Sequence, residues 1–479
     1  MTQNTSRVMM MQERLAPFIQ KLNIEIDCHA YFLRVSGDEK NALWLDSPQH
    51  GDAEKGRYSY VALCRGPFSH CLSYKVSSKL LIREEKNKTK QASVDDLFSY
   101  LHAHHHVQSM PELPFPFKGG YIGYFGYELR GSTEAKSSCD APYPDAYLLY
   151  ITRFLVVDHQ EKCSYLCCLD APNQQKRAKA WLTDQKALCH SLKQHSLDFE
   201  NNSGILPLDF DNHFLHSKDR YLQKIQQCQQ WIKEGQAYQL CLCNRFQSHT
   251  NLADLDVYQC LRANNPSPFS AFFRFKHFSF LSASPESFLS LSSEGILQSK
   301  PIKGTAKRHS DSAADQAQKH DLEHNLKERA ENMMIVDLMR HDFNKVCQRG
   351  SVRVPHCLQI ESYAGVHQLV SLVEGRLEKN ESIFSTLSAS FPGGSMTGAP
   401  KTRALRLLES LEEVPRGIYS GCFGWIGQDG AAHLAMTIRS LIYQKGTLNI
   451  GVGGGITILS EAEKEWAELR VKLAPLLVC

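Results

Sequence analysis

Apolar positions along the chain recur with two different periods, which predict a mixture of strands and helices. Residues 23–75 carry short two-residue alternations typical of strands, for example at 30–35 and 42–45. Helical spacing covers the polar segment 172–200 and the amphipathic segment 217–235. The chain therefore begins with strand-like segments and continues with longer helical ones.

The rest of the chain continues this mixture. Further strands are expected at 238–245, 269–275 and 278–282, and further helices at 321–342, 401–411 and 461–477. A strand and then the three glycines Gly453, Gly454 and Gly455 precede the last helix. Strands interspersed with helices in this order predict a mixed fold, in which helices cover large antiparallel sheets.

Composition describes an ordinary globular chain. It has 479 residues, of which 42% are hydrophobic and 22% charged, with a formal net charge of +3. This length predicts two domains or one large composite domain. The mild, dispersed positive charge argues against a nucleic-acid partner. No apolar stretch approaches a membrane span, and residues 1–21 lack the apolar centre of a secretory signal, so we expect a cytoplasmic protein.

Cysteine usage points the same way. Sixteen cysteines are present, but none form the CxxC pairs that commonly bind zinc. Reduced thiols are therefore the favoured interpretation.

Lys303 is the first candidate for chemistry, because it lies on a stiff segment between Pro301 and Gly304. Proline restricts the backbone around it, and glycine lets the chain turn and approach a ligand closely. A lysine held in this way can be presented as a nucleophile. A solvated loop lysine is the ordinary alternative, and only the surrounding motifs can decide between the two.

Three glutamates on two predicted helices form a candidate site for a divalent cation. Glu331 precedes a run of apolar residues, so its carboxylate is expected near the core. Glu465 and Glu468 are three residues apart and share one face of the last helix. Mg²⁺ prefers oxygen ligands of this kind. The ordinary alternative is that all three are solvated helix charges.

A glycine-rich segment at 392–401 runs into the helix predicted at 401–411. Free backbone N–H groups at such a turn suit an anion. The segment lacks the Gly-Lys-Ser/Thr ending of a P-loop, so a nucleotide is not indicated.

Ordered motifs across most of the chain resemble the chorismate-utilising enzymes. The matching segments are 235–245, 265–269, 284–286, 301–305, 329–337, 350–352, 391–401, 437–439 and 453–456. Residues 217–475 resemble the chorismate-binding region, and residues 23–165 the N-terminal part of the ammonia-dependent members. We therefore expect an N-terminal region at 1–170, a linker at 171–214 and a catalytic region at 215–475. The resemblance implies an α+β fold, with large antiparallel sheets forming a sandwich flanked by helices.

Two positions, those of Gln239 and Lys303, divide the reactions of this family. Members that add water to chorismate carry a lysine base at the place of Gln239, and a neutral glutamine cannot serve as that base. Anthranilate synthases carry alanine at the place of Lys303 and usually histidine at that of Gln368, whereas members that aminate C4 carry the lysine. The resemblance therefore implies amination of chorismate at C4, giving 4-amino-4-deoxychorismate for 4-aminobenzoate and folate synthesis.

The mechanism implied by the resemblance passes through a covalent Lys303 intermediate. The amine attacks C2 as the C4 hydroxyl departs, and ammonia then adds at C4 and expels the lysine. Because a lysine amine is ordinarily protonated at pH 7, burial or a nearby cation has to keep it neutral. Glu286 is the candidate general acid for the departing hydroxyl and base toward ammonia.

The resemblance also implies a set of ligand contacts. Glu331 and Glu468 would hold Mg²⁺, with Glu465 coordinating or supporting them. Arg439 would clamp the enolpyruvyl carboxylate through a bidentate fork. The remaining substrate contacts are assigned to Gln239, Thr305, Gly398, Gly454, Gly455 and Lys472. Ser287 and Leu459 depart from the family pattern, but neither replaces a residue assigned to chemistry.

A second ligand is suggested near the start of the chain. Segments 46–47 and 265–269 resemble those that enclose tryptophan in relatives, which makes Ser47, Pro266 and Pro268 a possible tryptophan pocket. Packing at a strand edge explains these residues equally well.

The expected partner is a glutaminase. No glutamine amidotransferase segment fits within this length, so ammonia is expected from a separate glutamine amidotransferase subunit, forming a heterodimer, or from solution. Two alternatives stay open: an anthranilate synthase component I, and a degenerate chorismate-binding subunit without activity.

Overall fold

The computed structural model describes residues 14–37, 39–47, 56–86, 88–132, 140–194, 212–363 and 365–477. Within these residues the helices are α1 (Cys28–Ser36), α2 (Leu97–His104), α3 (Gln175–Gln194), α4 (Lys218–Lys233), α5 (Asp254–Asn264), α6 (Ser312–His324), α7 (Leu326–Phe343), α8 (Ile383–Ser390), α9 (Lys401–Glu412) and α10 (Ala462–Leu473). Short 3₁₀ turns lie at Tyr127–Ser132, Gly394–Met396 and Ala474–Leu476.

The strands, in chain order, are β1 (Ala16–Leu22), β2 (Ala42–Asp46), β3 (Tyr58–Leu63), β4 (His70–Lys75), β5 (Leu80–Glu85), β6 (Lys88–Ser93), β7 (Gly120–Phe125), β8 (Ala146–Ile151), β9 (Arg153–Asp158), β10 (Cys163–Asp170), β11 (Gln239–His249), β12 (Phe269–Arg274), β13 (Ser279–Ser284), β14 (Ser287–Leu291), β15 (Ile296–Ser299), β16 (Ile302–Lys307), β17 (Arg353–Ser362), β18 (Val366–Arg376), β19 (Gly398–Ala399), β20 (Cys422–Gly427), β21 (Ala432–Met436), β22 (Ser440–Gln444) and β23 (Thr447–Ile456).

These strands form two antiparallel sheets. The first has the order β1-β10-β9-β3-β2-β12-β13-β22-β23-β11-β19. The second has the order β16-β18-β15-β14-β21-β20-β7-β8-β4-β5-β6, and β17 also pairs with β18. Each sheet takes strands from both the early and the late part of the chain. The expected α+β fold with large antiparallel sheets is confirmed.

The two sheets form a sandwich around a shared apolar core. One buried cluster joins Leu43 and Tyr60 of the first sheet to Ile122 and Tyr124 of the second. A separate cluster lies between the first sheet and its helices and contains Tyr221 of α4. Because successive side chains of a strand point to opposite faces, each sheet supplies one face to the shared core and the other to its helices.

Local structure departs from the sequence predictions at three places. The strand-like segment 30–35 is part of α1, because the side chain of Asp27 accepts a hydrogen bond from the N–H of Ala30 at 3.0 Å. The helix predicted at 321–342 is two helices, since Asn325 ends α6 and its side chain caps α7 through the N–H of Glu328. The glycines 453–455 lie inside β23, not after it.

Other elements agree with the predicted positions, and the last helix gives way to a 3₁₀ turn after Leu473. Helix α3 occupies part of the segment predicted as a linker and packs against β10 and β1. The boundaries proposed at 170 and 214 stay a prediction. Within the described ranges no helix is both long and apolar enough to cross a lipid bilayer.

Candidate active site

Lys303 lies on β16 where the strand pairing is irregular. Strand β16 pairs with β18 at Ile302–Val370 and again at Thr305–Gln368, and the register shifts between these pairs. Gly304 occupies this irregularity with φ +77°, and a Cβ there would lie 2.8 Å from the side chain of Leu322. Only glycine fits such a position without strain. The irregular backbone therefore holds the half-buried Lys303 in place.

Glu286 follows β13 and is a buried carboxyl group, with 8% of its surface exposed. Its backbone is fixed because the N–H of Met436 donates to its carbonyl oxygen at 3.0 Å. Burial raises the pKa of Glu286 to about 7, although the nearby Lys303 charge and a hydrogen bond from Ser395 lower it. Near neutral pH this carboxyl group can therefore either donate or accept a proton.

Glu331 lies on α7, which packs against β16 and β18. Its side chain is half-buried, and burial raises its pKa, while the charge of Lys303 lowers it. The nearby carboxylates Glu328 and Glu468 raise it further. Lys303 thus acts electrostatically on both Glu286 and Glu331, which the sequence separates by 45 residues.

Glu465, Glu468 and Lys472 lie on α10, which packs against β23. Glu465 is buried and accepts a hydrogen bond from Ser460 Oγ at 2.7 Å; burial, together with the charge of Glu468, raises its pKa. Lys472 Nζ lies 2.6 Å from a carboxylate oxygen of Glu468 and donates to the carbonyl oxygen of Gly453 at 2.7 Å. The exposed Glu468 is therefore held by an ion pair.

The three glutamates supply the oxygen donors that Mg²⁺ prefers. A Cβ on Gly454 would lie 3.1 Å from Glu465 Oε2 and 4.0 Å from Glu468 Oε1, so the bare glycine keeps room beside these carboxylates. They do not yet converge: among the described residues, only His320, Glu323 and His324 bring three potential ligand atoms within 4.8 Å of one another. The donor chemistry fits Mg²⁺, and one of these donors, Glu468, is paired with Lys472.

Gln239 and two glycines form the floor of the site. Gln239 begins β11, has 3% of its surface exposed, and its buried Oε1 has no hydrogen-bond partner among the described residues. A Cβ on Gly455 would lie 1.9 Å from Gln239 Nε2, so this glycine leaves space for the amide. Gly398 has φ +147° and approaches so closely that a Cβ would lie 2.2 Å from the carbonyl oxygen of Gln239. The unpartnered Oε1 is available to a ligand that donates a hydrogen bond.

Arg439 lies between β21 and β22, and its side chain contacts the C-terminal end of α10. Its Nη1 donates to the carbonyl oxygen of Lys472 at 2.8 Å, and burial lowers its pKa. A cation kept half-buried in this way is suited to an anionic ligand. Thr305, by contrast, is exposed on β16 opposite Gln368.

The structure places the predicted tryptophan segments side by side. Strand β2 pairs with β12 at Asp46–Ser270, which brings Ser47 beside the residues that follow Pro266 and Pro268. The N–H of Ser47 donates to Ser59 Oγ at 3.0 Å. Residues 48–55 lie outside the described residues, and tryptophan binding stays a prediction.

Sequence reasoning missed two side chains of the site. Ser395 lies inside the glycine-rich segment 392–401, but its hydrogen bond to Glu286 depends on the folded loop. Cys241 lies two residues after Gln239, on the same face of β11. Its pKa is lowered by a hydrogen bond from Cys243 and then by the charges of Arg416, Lys303 and Lys472. The period-two spacing from Gln239 was the available signal for Cys241.

Comparisons with known proteins bear on this site. Residues 40–478 match the family described as chorismate binding enzyme. The chain is 35% identical over 454 residues to the aminodeoxychorismate synthase of Streptomyces pristinaespiralis, covering 93% of this chain and 62% of the relative. It is also 35% identical over 460 residues to aminodeoxychorismate synthase component 1 of Klebsiella aerogenes, covering 95% and 97%. The chain thus spans less than two thirds of the Streptomyces protein but nearly all of the Klebsiella one.

Solved structures agree with these matches. Anthranilate synthase component I from Streptococcus pneumoniae TIGR4 superposes with a TM-score of 0.73 at 26% identity, covering 88% of this chain and 92% of that one. MenF, the menaquinone-specific isochorismate synthase from Escherichia coli, shares the fold, with a TM-score of 0.68 at 16% identity and coverage of 99% and 97%. Since the family match spans most of the chain and these relatives align along nearly its whole length, this protein belongs to the chorismate-binding enzyme family.

Proposed function

We propose that this chain converts chorismate and ammonia to 4-amino-4-deoxychorismate, acting as component I of an aminodeoxychorismate synthase. The observation that carries the proposal is the position of Lys303, whose charge acts on both Glu286 and Glu331. The names of the Streptomyces and Klebsiella relatives support the same product. In this role the protein would make the precursor for the synthesis of 4-aminobenzoate and folate.

Lys303 and Glu286 carry the covalent steps. Once Lys303 has given its proton to Glu286, its amine forms a bond to C2, the ring double bond shifts, and the C4–oxygen bond breaks. Protonated Glu286 gives its proton to the departing hydroxyl, which leaves as water. Ammonia then bonds to C4, the C2–nitrogen bond breaks, and the proton lost by the incoming nitrogen passes to Glu286. The occupied C2 directs ammonia to C4.

The other candidate residues bind and orient the substrate. Arg439 and Lys472 provide positive charge near the floor of the site, and the backbone N–H groups of Gly398, Gly454 and Gly455 complete an anion-binding surface. The unpartnered Oε1 of Gln239 accepts a hydrogen bond from the substrate. The neutral amide of Gln239 cannot act as a base for water. Thr305 contributes a hydroxyl contact.

Magnesium is the proposed cofactor. Glu331 and Glu468 would hold it, with Glu465 coordinating or supporting them. A bound Mg²⁺ would neutralise the ring carboxylate of chorismate. The raised pKa values of Glu331 and Glu465, caused first by burial and then in part by neighbouring carboxylates, are consistent with a site built to receive a cation.

A separate glutamine amidotransferase subunit is the proposed source of ammonia. The Klebsiella relative, which this chain covers almost completely, is named component 1, and that name implies a second component. The Streptomyces relative has more than a third of its length outside the match. We place the resulting heterodimer in the cytoplasm.

Anthranilate synthase activity is the second candidate, because the Streptococcus enzyme of that name superposes well on this chain. Chorismate, Mg²⁺ and ammonium incubated with the protein, with products separated by chromatography, distinguish the candidates. Aminodeoxychorismate is the expected product. Anthranilate would replace our proposal with the second candidate, and absence of turnover would favour a non-catalytic chorismate-binding subunit.

Substitution of Lys303 tests the covalent step. Lys303→Ala is expected to lower C4 amination by at least about a thousandfold, because the nucleophile is removed. Lys307→Ala is the matched control, since Lys307 is an exposed lysine at the end of the same strand. Equal rates and products for the wild type and Lys303→Ala would refute the mechanism.

A further inference from the structure

A second cavity lies apart from Lys303, where β11 and β23 approach the segment that follows α9. It opens to solvent, and the space that it encloses is about 60 Å³. Its walls contain none of the catalytic, substrate or magnesium residues assigned above. The cavity is therefore a separate site.

The cavity contains the cation Arg245, which has no ion-pair partner among the described residues. Arg245 is half-buried, and its Nη2 donates to the carbonyl oxygen of Pro415 at 2.5 Å. Among the described residues it forms no ion pair; Glu128 and the Tyr143 hydroxyl influence it only at longer range, and burial lowers the pKa of Arg245. Since a guanidinium has five N–H donors, most of those of Arg245 are left for a ligand.

The neighbouring carboxylate is already occupied. Glu412 lies in the wall of the cavity, but both of its oxygens accept hydrogen bonds from Arg416, at 2.6 and 2.7 Å. The N–H of Cys243 donates to the same carboxylate at 3.1 Å. Arg245 therefore cannot pair with Glu412 unless the buried bonds of Arg416 are broken.

The rest of the wall is amphipathic. Asn449 Nδ2 contacts the Tyr143 hydroxyl at 3.4 Å, a long hydrogen bond that a ligand can replace at small cost. Leu215, Val414 and Ile442 supply apolar surface around these groups. A ligand for this cavity needs one anionic end and one apolar body.

We propose that this cavity binds a small organic monocarboxylate carried on a flat apolar ring. The carboxylate would accept two parallel hydrogen bonds from Arg245, and the ring would lie against Val414 and Ile442. A phosphate is a poorer match, because the second cation in the wall, Arg416, is already paired with Glu412. The proposal does not depend on the reaction proposed for the active site.

The test is the binding of 2-naphthoate, measured by isothermal titration calorimetry. The wild type is expected to bind it, and Arg245→Met to weaken binding at least about tenfold. Val414→Trp fills the cavity without removing the charge and is expected to weaken binding similarly. It also covers the case in which Arg245→Met does not fold.

Two controls separate this cavity from the active site. Arg439→Met removes the active-site arginine by the same substitution, and binding of 2-naphthoate should not change. The amine analogue 2-(aminomethyl)naphthalene should not bind, because it places a cation beside Arg245. The proposal is overturned if the wild type does not bind 2-naphthoate, if Arg245→Met and Val414→Trp bind like wild type, if Arg439→Met abolishes binding, or if the amine binds equally well.

Discussion

Glu286 provides a direct test of how burial sets the chemistry of this site. Burial raises its pKa from 4.5 to about 7, although Lys303 and the hydrogen bond from Ser395 lower it. The folded protein therefore holds the Glu286 proton more tightly than the unfolded chain does. As the pH rises the carboxyl must ionise inside the protein, which costs stability. Glu286→Gln removes that cost, since the amide stays neutral at every pH.

The size of the effect follows from the pKa shift. The rise from 4.5 to about 7 corresponds to about 3 kcal/mol, at roughly 1.36 kcal/mol per pH unit. Below pH 4.5 the carboxyl is protonated in both the folded and the unfolded protein. The ionisation of Glu286 then contributes little to the difference in the free energy of unfolding between the wild type and Glu286→Gln. The wild type then loses stability as the pH rises to 7. Above pH 7 the variant should be the more stable protein by about 3 kcal/mol.

Urea unfolding followed by tryptophan fluorescence measures this difference. The wild type and Glu286→Gln are compared at pH 4.5 and at pH 8, so that groups common to both proteins cancel. Glu463→Gln is the control, because Glu463 is exposed and its ion pair with Lys218 should contribute little at either pH. A free-energy gap between wild type and Glu286→Gln that is the same at both pH values would refute this account of the buried carboxyl.

Two further predictions concern the metal and the floor of the site. Glu331→Gln is expected to weaken Mg²⁺ binding at least about tenfold, measured by calorimetry, because one oxygen donor loses its charge. Asp337→Asn is the control, since Asp337 is exposed on the same helix. Equal Mg²⁺ affinities of the wild type and Glu331→Gln would exclude Glu331 as a ligand. Gly398→Ala is expected to lower the free energy of unfolding by at least about 2 kcal/mol, because its Cβ would lie 2.2 Å from a backbone oxygen. Gly365→Ala, whose Cβ meets nothing within 4 Å, should change the free energy by less than about 0.5 kcal/mol. Equal losses for these two glycine variants would contradict the close approach at Gly398.

Periodicity located most of the long elements correctly. Helix α4 and strand β11 lie where apolar spacing predicts them, because each buries apolar side chains at regular intervals. The segment 30–35 was read incorrectly because its run of apolar residues suits a strand as well as a helix. The Asp27 cap and the packing of Tyr31 and Phe32 in the core selected the helix.

The sequence by itself determined which side chains are available: a lysine on a stiff segment, the acidic residues of two helices, and the glycines beside them. Their spacing along the chain said nothing about whether Glu286, Lys303 and Glu331 meet, because that depends on the pairing of β16 with β18 and the packing of α7 on both. By burying both side chains, tertiary structure also raised the pKa of Glu286 and lowered that of Arg245. Both effects arise from the removal of water around a charge, and only the folded chain decides which charges lose their water.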